Sequence, residues 1–245
     1  MASTIVLISG ANRGLGKGLL QRYLAQPDHT VIAANRDPEH ASSKELDNLP
    51  KAAGSRLIVV KVEATSDSDA LEAVKKLQDQ GIDHLDIVIA NSGIVDGLAT
   101  VADVSIEQLQ RHVDVNFYGG IRLFQATIPL LRKAANPKFV TMGTAAASLK
   151  NQVNIPNALY GPTKAAGHWI AVRINNEEEK VNSFVIHPGF VQTDMGNRSA
   201  QALGLEKAFV TVDDSCDGIF KLISESTKEA TGGRFWNYDG EELPW

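Results

Sequence analysis

A phenol and an ammonium stand four residues apart in the stretch Ala158-Leu159-Tyr160-Gly161-Pro162-Thr163-Lys164. On a helix, residues at that spacing lie one above the other on a single face. Pro162 suits the first turn, where the N–H it lacks would have no partner anyway. A free tyrosine titrates near pH ~10, too weak an acid to give up its proton readily at neutral pH. A cation about 4 Å away, at an effective dielectric of about 20, favours the phenolate by about 4 kcal/mol, roughly three pKa units. That would bring Tyr160 towards neutrality, where general acid–base catalysis is most efficient. The same pair also occurs on ordinary solvated helix faces, so its meaning depends on the elements around it.

Those elements alternate between strand and helix along the chain. Thr4–Ser9 is a short apolar run rich in β-branched residues, the pattern of a fully buried strand. It leads into Gly10-Ala11-Asn12-Arg13-Gly14-Leu15-Gly16 and then the helical spacing of Leu19, Leu20, Tyr23 and Leu24. Strand, glycine-rich turn and helix together present backbone N–H groups and a helix N-terminus to a phosphate. Further strands are expected at 29–34, 56–62, 85–90, 138–143 and 182–186, with a last short one in Gly232–Gly240. Helices are expected at 66–80 (capped by Ser66 or Asp67), 105–133, 160–180 and 213–226, and a polar, mobile lid at 195–207. The alternation implies an α/β fold, a Rossmann-type doubly wound parallel sheet, in a single domain over residues 1–245.

The glycine spacing, three residues then one, differs from the commonest dinucleotide fingerprint and resembles that of the short-chain dehydrogenase/reductase family. The resemblance runs over essentially the whole chain, with its motifs in order. It assigns Gly10, Asn12, Arg13, Gly14, Leu15 and Gly16 to the cofactor phosphates, and Glu63-Ala64 to the adenine, with Glu where Asp is usual. Asn91-Ser92-Gly93 stands where the family has Asn-Ala-Gly beside the ribose, and Pro188, Gly189, Val191 and Thr193 fall beside the nicotinamide. Asn116, an asparagine among apolar residues that must be hydrogen-bonded if buried, acquires the role of holding a water linked to Lys164, through a local backbone distortion. Lys164 itself lowers the tyrosine pKa and binds the ribose hydroxyls, and Tyr160 is the proton donor.

Two positions need separate reading. Where NAD-binding proteins carry an acidic residue after the second strand, this chain has Asn35-Arg36. No carboxylate is there to repel a 2′-phosphate, and Arg36, with Arg13, offers a guanidinium to bind one, so NADP(H) is favoured over NAD(H). The family's catalytic serine is replaced by Thr144, which carries the same hydroxyl, with Ser148 as the competing candidate. His187 is read as structural rather than as a base. The tail, through Leu243-Pro244-Trp245, resembles a subgroup of small carbonyl reductases that includes the developmental C-factor and fungal ketoreductases of aromatic polyketides.

Composition narrows the partners. With 43% hydrophobic and 22% charged residues the chain is ordinary for a globular protein, and its net charge of −5 argues against nucleic acid or an anionic membrane. One cysteine, Cys216, allows no intrachain disulfide, and nothing resembles a metal site. Ile5-Val6-Leu7-Ile8 is too short for a signal peptide or a membrane span, so a cytoplasmic location is expected. The expected function is NADP(H)-dependent reduction of a small-molecule ketone or aldehyde to an alcohol. The expected assembly is a homodimer or homotetramer formed through the helices at 105–133 and 160–180, using Phe117, Phe124, Trp169 and Ile170. A non-catalytic, NADP(H)-binding redox regulator and a scaffold subunit are the alternatives.

Overall fold

The computed structural model describes residues 3–245. Seven strands form one parallel sheet in the order β3-β2-β1-β4-β5-β6-β7. They are β1 (Thr4–Ser9), β2 (His29–Asn35), β3 (Arg56–Lys61), β4 (Ile87–Ala90), β5 (Lys138–Met142), β6 (Asn182–His187) and β7 (Phe235–Asn237). The helices are α1 (Gly14–Leu24), α2 (Ala41–Lys44), α3 (Asp69–Asp79), α4 (Ile106–Val113), α5 (Gly119–Leu131), α6 (Gly161–Glu177), α7 (Asp194–Ala202), α8 (Val212–Glu225) and α9 (Lys228–Thr231). Among the described residues, none of these helices is long and apolar enough to cross a membrane.

Strand alternation divides the core into two layers. Ile5 and Leu7 point to one face, where they join Val74, Leu77, Leu123, Leu130 and Ile174. Val6 and Ile8 point to the other and join Leu19, Leu20, Leu24, Ile219 and Ile223. Because both faces are covered, the inner strands read as continuous apolar runs rather than alternating ones. The strand order reverses between β1 and β4, and there the loops at the C-terminal ends of the two strands diverge to leave a crevice.

Several expected elements differ from those observed; the strand expected over 85–90 is Ile87–Ala90, and the one expected over 138–143 is Lys138–Met142. The helix expected over 105–133 is two helices, joined by a π-helical turn at Asp114–Tyr118 that accommodates an extra residue. The helix expected over 66–80 begins at Asp69, because the Ser66 hydroxyl donates to Asp69 Oδ1 at 2.8 Å and accepts from its N–H at 3.2 Å, making a turn before the helix. The expected polar lid contains a regular helix, α7. Thr193 caps it, accepting from the Gly196 N–H at 3.1 Å, so the residue read only as a ligand contact is also a helix start. The helix after Tyr160 ends at Glu177, and Glu178 turns away to form paired bonds with Arg132 at 2.6 and 2.9 Å. Phe124 and Ile170, expected on an outer face, pack against the core, whereas Trp169 is 63% exposed and Tyr118 47%.

Candidate active site

The glycine turn sits at the C-terminal end of β1 and is built from main chain. Gly10 donates to Ala34 O at 2.8 Å, locking the turn to β2. A Cβ on Gly16 would lie 2.3 Å from Gly10 O, so no side chain fits where α1 passes the turn. Gly14 has φ +53° and faces Thr193, whose Cγ2 a Cβ there would approach at 3.3 Å. Arg13 makes no side-chain cap, and no acidic residue stands in the first turn of α1. The helix N-terminus therefore keeps donors and partial positive charge for an anion.

Two asparagines brace this turn. Asn35, 1% exposed, accepts from the Ala11 N–H at 2.9 Å and donates to Ser43 Oγ at 3.2 Å. Asn91 donates from Nδ2 to Ser9 O at 2.8 Å and Gly10 O at 3.2 Å. The side chain of Asn35 thus points inward, away from the groove where its position suggested a ligand contact. The next residue, Arg36, is the one at the rim, 81% exposed and 3.8 Å from Glu63 Oε2. Arg13 lies on the opposite lip, 4.0 Å from Asp194 at the start of α7, and Asn12 donates to Ser42 Oγ at 2.7 Å. A main-chain cradle that excludes side chains, a helix N-terminus free of acid, and two arginines at the rim fit the phosphates of a dinucleotide.

Beside the cradle, four further residues converge. Tyr160 immediately precedes α6 and Lys164 lies one turn in, with Pro162 in the first turn as its ring requires. Lys164 is buried, and its Nζ donates to Met142 O at 2.8 Å, so the ammonium is fixed to the end of β5. The π turn delivers Asn116. Its Oδ1 accepts from the Ile94 N–H at 2.7 Å, and its Nδ2 donates to Ile94 O at 3.0 Å and Thr163 Oγ1 at 3.2 Å. A Cβ on Gly93 would lie 3.2 Å from Asn116 Oδ1 and 3.6 Å from Lys164 Nζ, so all three meet at one point. A cavity of about 40 Å³, lined in part by Ser9, Ser92, Asn116, Thr141 and Lys164, opens beside them.

Burial sets the charges here. It pushes the Tyr160 phenol well above its ordinary value and lowers Lys164 from 10.5 to about 8. This corrects the expectation from spacing alone, in which the cation pulls the phenol down. The ammonium is 5.8 Å from the centre of the Tyr160 ring, and desolvation disfavours both charged forms. A phenol held neutral is in the form that donates a proton.

Thr144 stands two residues beyond the end of β5, after Gly143, and caps the short turn Ala145–Ala147, its Oγ1 accepting from the Ala146 N–H at 3.2 Å. Its hydroxyl proton is left for another acceptor. Ser148 is engaged differently: its hydroxyl donates to Trp245 O at 3.0 Å and accepts from the Asn151 N–H at 3.0 Å. Asn157 joins this loop to the tyrosine, donating to Ala146 O at 2.7 Å while its Oδ1 accepts from the Gly161 N–H at 3.0 Å. Sequence reasoning missed Asn157, although a side-chain cap three residues before Tyr160 is a helix-start signal. It also missed His168, one turn beyond Lys164, whose Nε2 accepts from the Thr144 N–H at 3.3 Å.

The groove continues past the end of β6. Gly189 has φ +84° and Pro188 O accepts from the Ser215 hydroxyl at 2.6 Å; beyond this turn Val191 is buried and Thr193 stands opposite Gly14. His187 Nδ1 is buried with no partner among the described residues, and burial lowers its pKa to about 4. Among the described residues no group of three or more His, Cys, Asp or Glu could hold a metal.

Comparison with known proteins agrees with this geometry. The family model described as short chain dehydrogenase matches residues 4–204. Norsolorinic acid ketoreductase nor1 of Dothistroma septosporum is 40% identical over 249 residues, covering 99% of this chain and 92% of that protein. The norsolorinic acid ketoreductase of Aspergillus parasiticus is 38% identical, covering 99% and 91%. Among solved structures, the NADPH-bound carbonyl reductase from chicken fatty liver superposes with a TM-score of 0.86 at 26% identity, over 100% of both chains.

Proposed function

We propose that this chain, which belongs to the short-chain dehydrogenase family, reduces a ketone or aldehyde to an alcohol with NADPH, Tyr160 giving the proton. The observation that carries this reading is the meeting of Tyr160, Lys164, Asn116 and Thr144 beside a phosphate cradle at the C-terminal end of the sheet. Bound there, reduced nicotinamide supplies the hydride. The cradle residues Gly10, Asn12, Arg13, Gly14, Leu15 and Gly16 would hold the phosphates, and Arg36 with Arg13 would engage a 2′-phosphate. Arg36 is now shared with Glu63, a weak exposed pair that a phosphate outcompetes. Glu63-Ala64 would border the adenine, Asn91-Ser92-Gly93 the ribose, and Pro188, Gly189, Val191 and Thr193 the nicotinamide.

The protein's own groups do the rest. Thr144 donates a hydrogen bond to the substrate oxygen, and we assign it rather than Ser148 because the Ser148 hydroxyl is committed to Trp245. Tyr160 gives its proton to the developing alkoxide. An alkoxide is a far stronger base than a phenolate, so a phenol raised by burial still transfers its proton downhill. Lys164 stabilises the phenolate left behind. The cavity beside Asn116 has room for water, through which the proton can be replaced. The loops after β4, β5 and β6 expose Val101, Leu149, Val153 and Phe209, which suits a carbonyl carried on an apolar body.

Consumption of NADPH against a panel of apolar ketones and aldehydes tests the reading. Tight NADPH binding with no turnover of any of them would instead support a cofactor-sensing regulator. Assembly belongs to the same proposal. Exposed Trp169 and Tyr118 on α6 and beside α5 fit a homodimer or homotetramer, and sedimentation as a monomer at micromolar concentration would refute it. The single cysteine and the composition fit a cytosolic protein, which cell fractionation can check.

A further inference from the structure

Tyr160, Lys164 and His168 follow at four-residue intervals, so their side chains leave one stripe of α6. The first two have roles in proton transfer and the third has none there. Yet His168 is only 3% exposed and reaches across to the loop after β5, where Nε2 accepts from the Thr144 N–H. A ring nitrogen accepts only in the neutral imidazole, here with the proton on Nδ1. Burial, helped by Lys164 and His187 nearby, keeps the ring neutral by lowering its pKa to about 3.

The ring is itself clamped. Its centre lies 4.7 Å from that of Phe235 and 5.7 Å from that of Trp245, and those two rings stack at 5.5 Å. Gly143 makes the approach possible, since a Cβ there would sit 2.4 Å from His168 Nε2. Trp245 also holds the far end of the same loop. Its carbonyl oxygen accepts from the Ser148 hydroxyl at 3.0 Å and the Lys150 N–H at 3.1 Å.

A donor to a developing oxyanion must be held to about 0.5 Å to be effective. Thr144 has left the ladder of β5, so its backbone needs another anchor to aim its hydroxyl. We propose that His168 is that anchor: a positioning residue that fixes the Thr144 backbone at the carbonyl-binding point, its ring clamped by Phe235 and Trp245. The proposal rests on the carbonyl reduction argued above. It differs from simple core packing, for which any ring of similar shape would serve.

The test compares His168→Phe, which keeps an aromatic ring and removes the acceptor, with His168→Gln, whose amide oxygen can replace Nε2. Both are measured for kcat, KM and NADPH affinity, alone and in the Thr144→Ala background. Hydrogen exchange at the Thr144 amide gives a readout independent of activity. Loss of one buried hydrogen bond should lower kcat about 10-fold in His168→Phe, with NADPH affinity unchanged. His168→Gln should recover most of the loss, His168→Phe should cost nothing more once Thr144 is alanine, and the Thr144 amide should exchange faster. Unchanged kcat, an equal further loss in the Thr144→Ala background, or unchanged exchange would overturn the proposal. If His168→Phe does not fold, Trp245→Ala removes the clamp and should show the same pattern in smaller measure, with the same outcomes counting against it. If the unaltered protein reduces no carbonyl, the proposed function falls, and the exchange at Thr144 still decides whether His168 anchors it.

Discussion

At the ends of β1 and β2 the groove is made of backbone. Gly10, Gly14 and Gly16 shape it, and the nearby side chains of Asn35 and Asn91 are spent bracing the turn from behind. At the ends of β5 and β6 the groove is made of side chains. Asn116, Thr144 and the pair Tyr160 and Lys164 come from three segments and are held by Ile94, His168, Asn157 and Met142. Main chain suits a ligand group common to every dinucleotide, because it offers donors without selecting among side chains. Side chains suit chemistry, where one proton must move at one atom. Changes on the first side should therefore act on cofactor affinity, and changes on the second on turnover.

The largest effect expected is on the side-chain half. Tyr160→Phe keeps the ring and removes the transferable proton, so kcat should fall by about 10²-fold or more with NADPH affinity nearly unchanged. Substrate-saturated turnover and fluorescence titration of NADPH separate the two, and near-normal turnover would break the mechanism. Thr144→Ala should lose roughly 10²-fold in kcat, while Thr144→Ser keeps most activity and Ser148→Ala is mild. If Ser148→Ala is the crippling change, the hydroxyl assignment is wrong.

On the backbone half, Arg36 is the side chain proposed to select among cofactors. NADPH should bind at least about tenfold more tightly than NADH, or about 1.4 kcal/mol, and Arg36→Asp should narrow or reverse the preference. Equal affinities in the unaltered protein would remove this distinction between the halves.

A separate effect is on stability. His168 and His187 lie behind the catalytic wall, with pKa values lowered from 6.5 to about 3 and about 4 by burial. Lys164 and His187 add to the effect on His168, and Asp239 opposes it on His187. Their folded values lie below the unfolded one, so both contribute full stability above pH 6.5 and lose it as pH falls towards 4. The loss is about 1.4 kcal/mol per pH unit for each ring. Denaturant midpoints between pH 7 and pH 4.5 should show it, and His168→Phe should flatten the slope.

The backbone half was the more legible in sequence. Thr4–Ser9 and the glycine spacing announce themselves, because a buried strand is an apolar run and a close approach demands glycine. The roles of Asn35 and Asn91 as braces were less visible, since a motif position does not tell which way a side chain turns. On the side-chain half, Tyr160 and Lys164 could be found by spacing, but their pKa values could not. The spacing supplies the Coulomb attraction, whereas burial, which reverses its direction for Tyr160, depends on segments far away in the chain. The break at Asp114–Tyr118 leaves no mark in an apolar periodicity that continues on both sides of it. His168 binds a loop rather than a ligand, and no motif records such a contact, whereas Asn157 leaves only the signal of a helix start.

The π-helical turn at Asp114–Tyr118 also bears on how this site withstands genetic change. Its extra residue is a matter of chain length, so a single-base substitution can replace Asn116 or a neighbour but cannot take the turn away. Loss of one codon in frame within the segment would do so. Each residue advances a helix by about 100°, a step the π turn absorbs, so that loss would join α4 and α5 in one regular helix and remove the local bulge that turns Asn116 towards Ile94 and Thr163. The site is thus shielded in its geometry from the commonest kind of mutation and exposed to a rare one.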